Sequence, residues 1–534
     1  MFGLFLLFGV GTCADLDVMN PNDPDPGRIR TSAEDVVSLI STSFHTWFYG
    51  NYSYFSAGLA LSNAAFQHSS PWANSGMEKY GRLPRIPFIN AISDAEYEFM
   101  ARPWFESYRA IAQAAEGLRS LELLSVQADL TADELAQARA FGRFVQGLAH
   151  ATIATVFDRG FIVDETTILS GGAGTPVHPA LVGYNDVMEA ALGFFDDAID
   201  LSVGKTWTFP EGWVQAEVTG SHLARIAHSM KARFRASVAR TPSERESVDW
   251  TAVIADVDAG ITEDYVGYYD PFDGWALDVV GHGTYSDWSQ MAYFIYGMAD
   301  QAGDFQAWEA LGLGEKRHEL PNGDPVLIVT SDNRFPQGGT LEEQRTHPGR
   351  YFGVVTAHEV GNTWKRPERG TWRWSWYKIL RGREYWGFGR YDQPEIRLSE
   401  MRLLKAEGHF RSGDKGAAAA IINETRRTSG LNATDGSGIN TSCVPKLPDG
   451  SCGDLWEMLK WEKRMENTFL GPLSVGWFWD SRGWGDLHKD TFLHLPIPCG
   501  EIQVLQLLPC DNDFGGSGGR WAALSSTYGW STER

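Results

Sequence analysis

Residues 395–430, EIRLSEMRLLKAEGHFRSGDKGAAAAIINETRRTSG, leave the backbone little choice. Ile396, Met401, Leu403, Leu404 and Phe410 recur at helical spacing between charges, and Pro394 stands just ahead, where a missing N–H costs nothing. Ser412-Gly413-Asp414 breaks that period. A second helix is predicted from Asp414 as N-cap, through Ala417, Ala418, Ile421 and Ile422, to Gly430, after two arginines that suit the negative end of the helix dipole. Small side chains at Ala406 and Ala417–Ala420 allow the two helices to approach closely. The pair reads as an αα-hairpin of about 34 residues, the size of one tetratricopeptide unit. Any two amphipathic helices with a short loop share this spacing, so the hairpin alone does not decide the fold.

Further helices precede it. Thr31–Tyr49 carries Val36, Val37, Leu39, Ile40, Phe44 and Trp47 on one face, with Ser32 as a cap. In Arg102–Leu124, Trp104, Tyr108, Ile111, Ala115 and Leu118 step by three and four, and Thr131–Phe157 repeats the pattern behind a capping-box start, Thr131 to Glu134. Tyr184–Leu201, Ser221–Arg240 and Trp250–Tyr265 extend the series. About eight helices in pairs predict a mainly α chain: a tetratricopeptide-like scaffold of about four pairs, the last pair following a long interruption. Four regions are expected after an N-terminal segment at 1–13: a tether at 14–30, a helical scaffold at 31–265, an irregular region at 266–393 and a C-terminal block at 394–534.

That C-terminal block holds WEKRMENTFLG from Trp461, FWDSRGWGDL from Phe478 and PIPCGEI from Pro496 to Ile502, in this order after the helical hairpin. The succession resembles the SusD/RagB family of outer-membrane nutrient-binding lipoproteins, most densely over the last 140 or so residues. The resemblance implies a helical frame whose irregular remainder carries the ligand surface. It also implies capture of oligosaccharides, or in some relatives peptides, for a SusC-like TonB-dependent transporter barrel, with no cofactor, metal or catalytic residue. Glu462, Arg464, Glu466, Asp480 and Arg482 are then a structural charge network and not an acid/base cluster.

The amino terminus fits this setting. FGLFLLFGVGTC is too short to span a bilayer and ends in small residues and Cys13, as a lipoprotein signal does, so Cys13 is the expected lipidation site. No Lys or Arg precedes the apolar run, and Thr12 replaces the commoner small residue. The acidic, Pro-rich ADLDVMNPNDPDPG that follows reads as a tether. The expected location is the outer membrane, lipid-anchored and facing the exterior. Cys443, Cys452, Cys499 and Cys510 fall into two close pairs; disulfides fit these spacings better than zinc, which favours CxxC pairs. A bridge from Cys499 to Cys510 would be peculiar to this chain, since the family position is usually polar.

A formal charge of −22 argues against nucleic acid or an anionic membrane as a charge-driven partner. The 21 Trp, 18 Tyr and 29 Phe exceed what an ordinary core requires, and many cluster in the irregular region. There, only Val326–Thr330 and Tyr351–Thr356 look strand-like. Sugars offer apolar C–H faces to aromatic rings and hydroxyls to amides, carboxylates and guanidinium groups. In an extended stretch Trp372, Trp374 and Trp376 would share one face as a stacking row; Trp275, Tyr285 and Trp288 are the other expected ligand-binding residues. The competing use of these rings is to cover the scaffold or to meet a transporter. Two other classes stay open: a glycan hydrolase, for which no carboxylate-pair motif is visible, and a pure protein-interaction scaffold. His358-Glu359 begins like HExxH, but Asn362 stands at the second histidine.

Overall fold

The computed structural model describes residues 32–86, 89–167, 179–356, 369–382 and 391–506. Cys13, the tether, Cys510 and the His358, Glu359 and Asn362 group lie outside them.

Among the described residues, eight helices stack in chain order. Helix α1 (Ala33–Tyr52) starts at Ser32, whose Oγ accepts from Asp35 N, and buries Val36, Ile40, Phe44 and Trp47. It packs on α2 (Tyr97–Ser120), where Gly117 faces Ile40 so closely that a Cβ would lie 2.3 Å from that side chain. Helix α3 (Ala132–Val156) has the anticipated capping box: Glu134 N donates to Thr131 Oγ1 at 3.2 Å, and Thr131 N donates to Glu134 Oε2 at 2.9 Å. It packs on α4 (Tyr184–Ser202). Helices α5 (Gly220–Ser237) and α6 (Trp250–Ala259) make the third pair, and α7 (Leu398–Arg411) with α8 (Lys415–Thr428) the fourth. Each pair also packs on the next, as in a tetratricopeptide array.

The fourth pair meets the third although 138 residues of chain lie between α6 and α7, which run to Ala259 and from Leu398. Strand β1 (Tyr265–Tyr269) leaves the scaffold and pairs antiparallel with β4 (Tyr391–Ile396), which returns to it, so both ends of the excursion sit at one place. This corrects two expectations. Trp250–Tyr265 is not one helix: it ends at Ala259, and the next residues turn, with Ile261 N donating to Ser229 Oγ at 3.0 Å. Pro394 and Ile396 belong to β4 and not to the helix approach; Pro394 faces Val266 beside a register shift, where its lack of an N–H is tolerated.

The C-terminal block seals the array. Helix α9 (Leu455–Glu466) packs on α7 and α8 through Leu403, Ala406, Ala419, Ile422, Leu455, Met458 and Leu459. Burying a Leu or Ile side chain contributes about 1.5–3 kcal/mol. Asp414 caps α8 as expected, its Oδ1 accepting from Ala417 N at 3.0 Å. Helix α10 (Gly476–Trp484) packs on α5. Charges lock these contacts. Arg245 and Glu407, both fully buried, pair at 2.6 Å, and Asp480 accepts from Arg245 at 3.0 Å and from Lys463 at 2.8 Å. Burial pushes the Glu407 carboxyl up, but Arg245, Lys463 and Arg411 outweigh it and hold the group below the usual carboxylate range. Arg482 instead donates to the carbonyls of Ser237, Ala239 and Leu493. Cys443 and Cys452 form a disulfide in the α8–α9 connection.

The excursion is more helical than its sequence suggests, with short helices at Asp278–Thr284, Tyr293–Tyr296, Asp304–Glu309 and Leu341–Thr346. Strand β2 (Phe352–Val354) pairs with β3 (Tyr377–Ile379), within the expected run at Tyr351–Thr356. Residues 326–330 form no strand. Three of their N–H groups are taken by side chains: Leu327 donates to Asp304, Ile328 to Tyr377 and Val329 to Asp300, at 2.7–3.0 Å. A β-like sequence with its backbone satisfied this way needs no ladder.

Candidate functional site

The expected ligand-binding rings divide into three groups. Trp372 and Trp275 are buried and serve the core. Trp372 lies in a 3-10 turn, Thr371–Arg373, ahead of β3, and packs against Phe66 and Phe294. The three-tryptophan row is therefore broken, because the extended backbone begins only after the turn. Trp275 packs between Phe44, His45 and Phe48 of α1. Trp374 and Trp376 remain half-buried around His318, and Trp288 and Tyr285 are half-buried in a separate cluster.

The Trp288 cluster is built from three chain segments. Tyr54 and Phe55 follow the end of α1, Trp72 lies on the loop after the helix Gly58–Ala64, and His282, Tyr285 and Trp288 come from the helix Asp278–Thr284 and the turn after it. Ser69 and Gln290 stitch the two loops by a pair of backbone hydrogen bonds of 2.7 and 2.8 Å. Ser70 Oγ donates to the Trp288 carbonyl at 2.7 Å. The rings run in series: Trp72 to Trp288 at 5.5 Å, Trp288 to His282 at 4.5 Å and His282 to Tyr54 at 4.8 Å. Phe55 continues the line at 5.2 Å from Tyr54 and is 41% exposed.

Polar groups fix this arc. Tyr54 N donates to Asp278 Oδ2 at 2.9 Å, and Asn74 Nδ2 donates to Tyr54 Oη at 2.8 Å. Asn74 Oδ1 and Asp287 Oδ1 are buried and accept no hydrogen bond from the described residues. Burial lowers the His282 pKa, so the ring is neutral near pH 7, and its Nδ1 donates to the Asp278 carbonyl at 2.8 Å. Arg369 Nη1 donates to the Trp72 carbonyl at 2.9 Å and brings a guanidinium to that end. Ala73 and Ser75 hold left-handed φ angles of 61° and 51°, a costly conformation that the surrounding contacts must impose.

Tyr54, Trp72, Asn74 and His282 escaped the sequence reading. Their only signal was aromatic residues inside turn-rich runs, NYSYFS and SSPWANSG, at 51–56 and 69–76. Among the described residues no three His, Cys, Asp or Glu side chains gather as a metal site would require. No helix there is long and apolar enough to cross a membrane.

The fold is that of the SusD superfamily. The sequence matches no protein-family profile and no curated protein. The whole-chain architecture is similar to a SusD superfamily protein from Bacteroides vulgatus, with 13% identity, 89% of this chain and 97% of that one covered, and a TM-score of 0.52. A SusD superfamily protein from Bacteroides thetaiotaomicron gives 14% identity, 88% and 98% coverage and a TM-score of 0.51. Surface glycan-binding protein A from Bacteroides uniformis gives 12%, 88% and 97%, and 0.53.

Proposed function

We propose that this chain captures oligosaccharides at the cell surface on the Trp72–Trp288–His282–Tyr54 arc, without turnover. A solved protein of the same fold is a surface glycan-binding protein. The observation that carries the reading is the arc itself: half-buried Trp72, Trp288 and Tyr54 around a buried His282, with rings 4.5–5.5 Å apart, held by Asn74 and Asp278, and with an Arg369 guanidinium at one end. Pyranose rings stack on such faces, and Asn74 Oδ1 and Asp287 Oδ1 supply acceptors for hydroxyls. In the wider reading the chain is anchored through Cys13, lies on the outer membrane and hands its ligand to a SusC-like TonB-dependent barrel. An interface of that kind would bury more than about 2,000 Å².

Titration of the purified chain with neutral oligosaccharides and with short peptides, followed by Trp fluorescence and calorimetry, tests the site. Trp288→Ala and Trp72→Ala are expected to weaken glycan binding roughly tenfold or more each while leaving the melting temperature near that of the parent. Peptide binding lost in the same variants would make peptides the ligand, and release of shorter sugars would make the chain a hydrolase. Unchanged binding in both variants would remove the arc as the site.

A further inference from the structure

Trp374 and Trp376 stand apart from this arc and are built into a second arrangement. They occupy alternate positions of an extended segment whose intervening residue, Ser375, is buried, with its N–H donating to Gln290 Oε1 at 3.0 Å. Both indoles meet the His318 imidazole edge-on, each with a centroid separation of 4.8 Å and with interplanar angles of 80° and 73°.

The support is rigid. Trp376 N donates to Tyr293 Oη at 3.2 Å, and Val355 N donates to the Trp376 carbonyl at 2.8 Å. The His318 loop is tied by Val326 N donating to the His318 carbonyl at 2.9 Å and by Thr371 Oγ1 donating to the Lys316 carbonyl at 2.7 Å. Charged forks border the rings: the Arg345 guanidinium lies 6.0 Å from the Trp376 ring centre, and a Glu319 carboxylate oxygen lies 3.8 Å from His318 Nε2. The Trp376 indole N–H is buried and donates to no described group. Trp376 also packs against the main hydrophobic core, which fixes that end of the pair.

We infer that Trp374, His318 and Trp376 form a second sugar-binding patch, bordered by Arg345 and Glu319 and separate from the Trp288 arc, that stacks a pyranose unit of a neutral oligosaccharide. The ligand class rests on the reading of the Trp288 arc; the patch itself does not.

Calorimetric titration with maltoheptaose, cellohexaose, xylohexaose and mannohexaose, on the parent chain, Trp288→Ala, a Trp374→Ala/Trp376→Ala double variant and His318→Ala, tests it. The expected result is two sites on the parent for at least one sugar. The Trp374/Trp376 variant then keeps one site at parental affinity, and Trp288→Ala keeps the other. His318→Ala, which removes neither indole, weakens only the second site, by roughly threefold or more, and guards against a double variant that fails to fold. A parent with one site, lost in Trp288→Ala and untouched in the other variants, overturns the second patch and leaves the first standing. Binding lost in the Trp374/Trp376 and His318 variants but kept in Trp288→Ala supports the patch and overturns the arc. A parent that binds none of the four sugars overturns both.

Discussion

Glu395 shows how one buried carboxyl ties three parts of the chain together. It lies in β4, accepts from Tyr52 Oη of α1 at 2.6 Å and from Tyr269 Oη of β1 at 3.4 Å, and sits 3.8 Å from Arg233 of α5. Arg233 is committed elsewhere, donating to both oxygens of Glu400 at 2.8 and 2.7 Å. Burial therefore outweighs the guanidinium, and the Glu395 pKa is pushed up to about 7. A pKa higher in the folded chain than in the unfolded one contributes stability that is complete below the unfolded value, near 4.5, and is lost as pH rises through about 7. The full effect is up to ~3 kcal/mol. The parent is expected to lose stability between pH 5 and pH 8, and Glu395→Gln to lose much less, as denaturant midpoints at both pH values will show. Parallel pH profiles for the two proteins would rule the coupling out.

Among the elements, α8 is the one whose sequence signals agree most fully with its structure. Asp414 accepts from Ala417 N at the start, Arg426 and Arg427 stand in the last turn, and Gly430 follows with a φ of 77°. Asp414→Ala should cost about 1 kcal/mol, read as a fall in the denaturant midpoint, and Asp414→Ser should restore most of it. Equal losses in both variants would mean that the cap hydrogen bond is not what the position supplies. The neighbouring α7 was less legible. Ile396 and Pro394 look like helix residues in one dimension, but a strand partner 130 residues away, Tyr265–Tyr269, claims their backbone first. The same competition explains 326–330, where β-branched residues suggested a strand and Asp304, Tyr377 and Asp300 took the N–H groups of Leu327, Ile328 and Val329.

Across the whole molecule, the long excursion is fastened to the scaffold by buried charge. Arg334, fully buried, donates to Asp332 of its own segment at 2.7 Å and to Glu462 and Glu466 of α9 at 2.9 and 3.3 Å. Removing one partner of such a network strands the others in low dielectric, at a cost of about 3–5 kcal/mol. Arg334→Met should therefore lower the denaturant midpoint and raise hydrogen exchange in 326–354 and in α9, with α1–α4 little changed. Exchange rising equally throughout would show that Arg334 does not fasten these two parts in particular. The ligand arc depends on the same long-range assembly, since Tyr54, Trp72 and Trp288 meet only because Ser69 and Gln290 bind each other across 221 positions.

Helical pairing, the Thr131 capping box, the Asp414 cap and the structural role of the C-terminal charges were legible in the sequence, because amphipathic period and cap chemistry act over a few residues. Which aromatic rings face outward was not. Trp372 and Trp374 are two positions apart and chemically identical, yet one packs on Phe66 and Phe294 inside the body and the other meets His318 and is only partly buried. Local pattern sets the direction of the backbone, whereas exposure is set by what arrives from elsewhere in the chain, and only the tertiary structure supplies that neighbour.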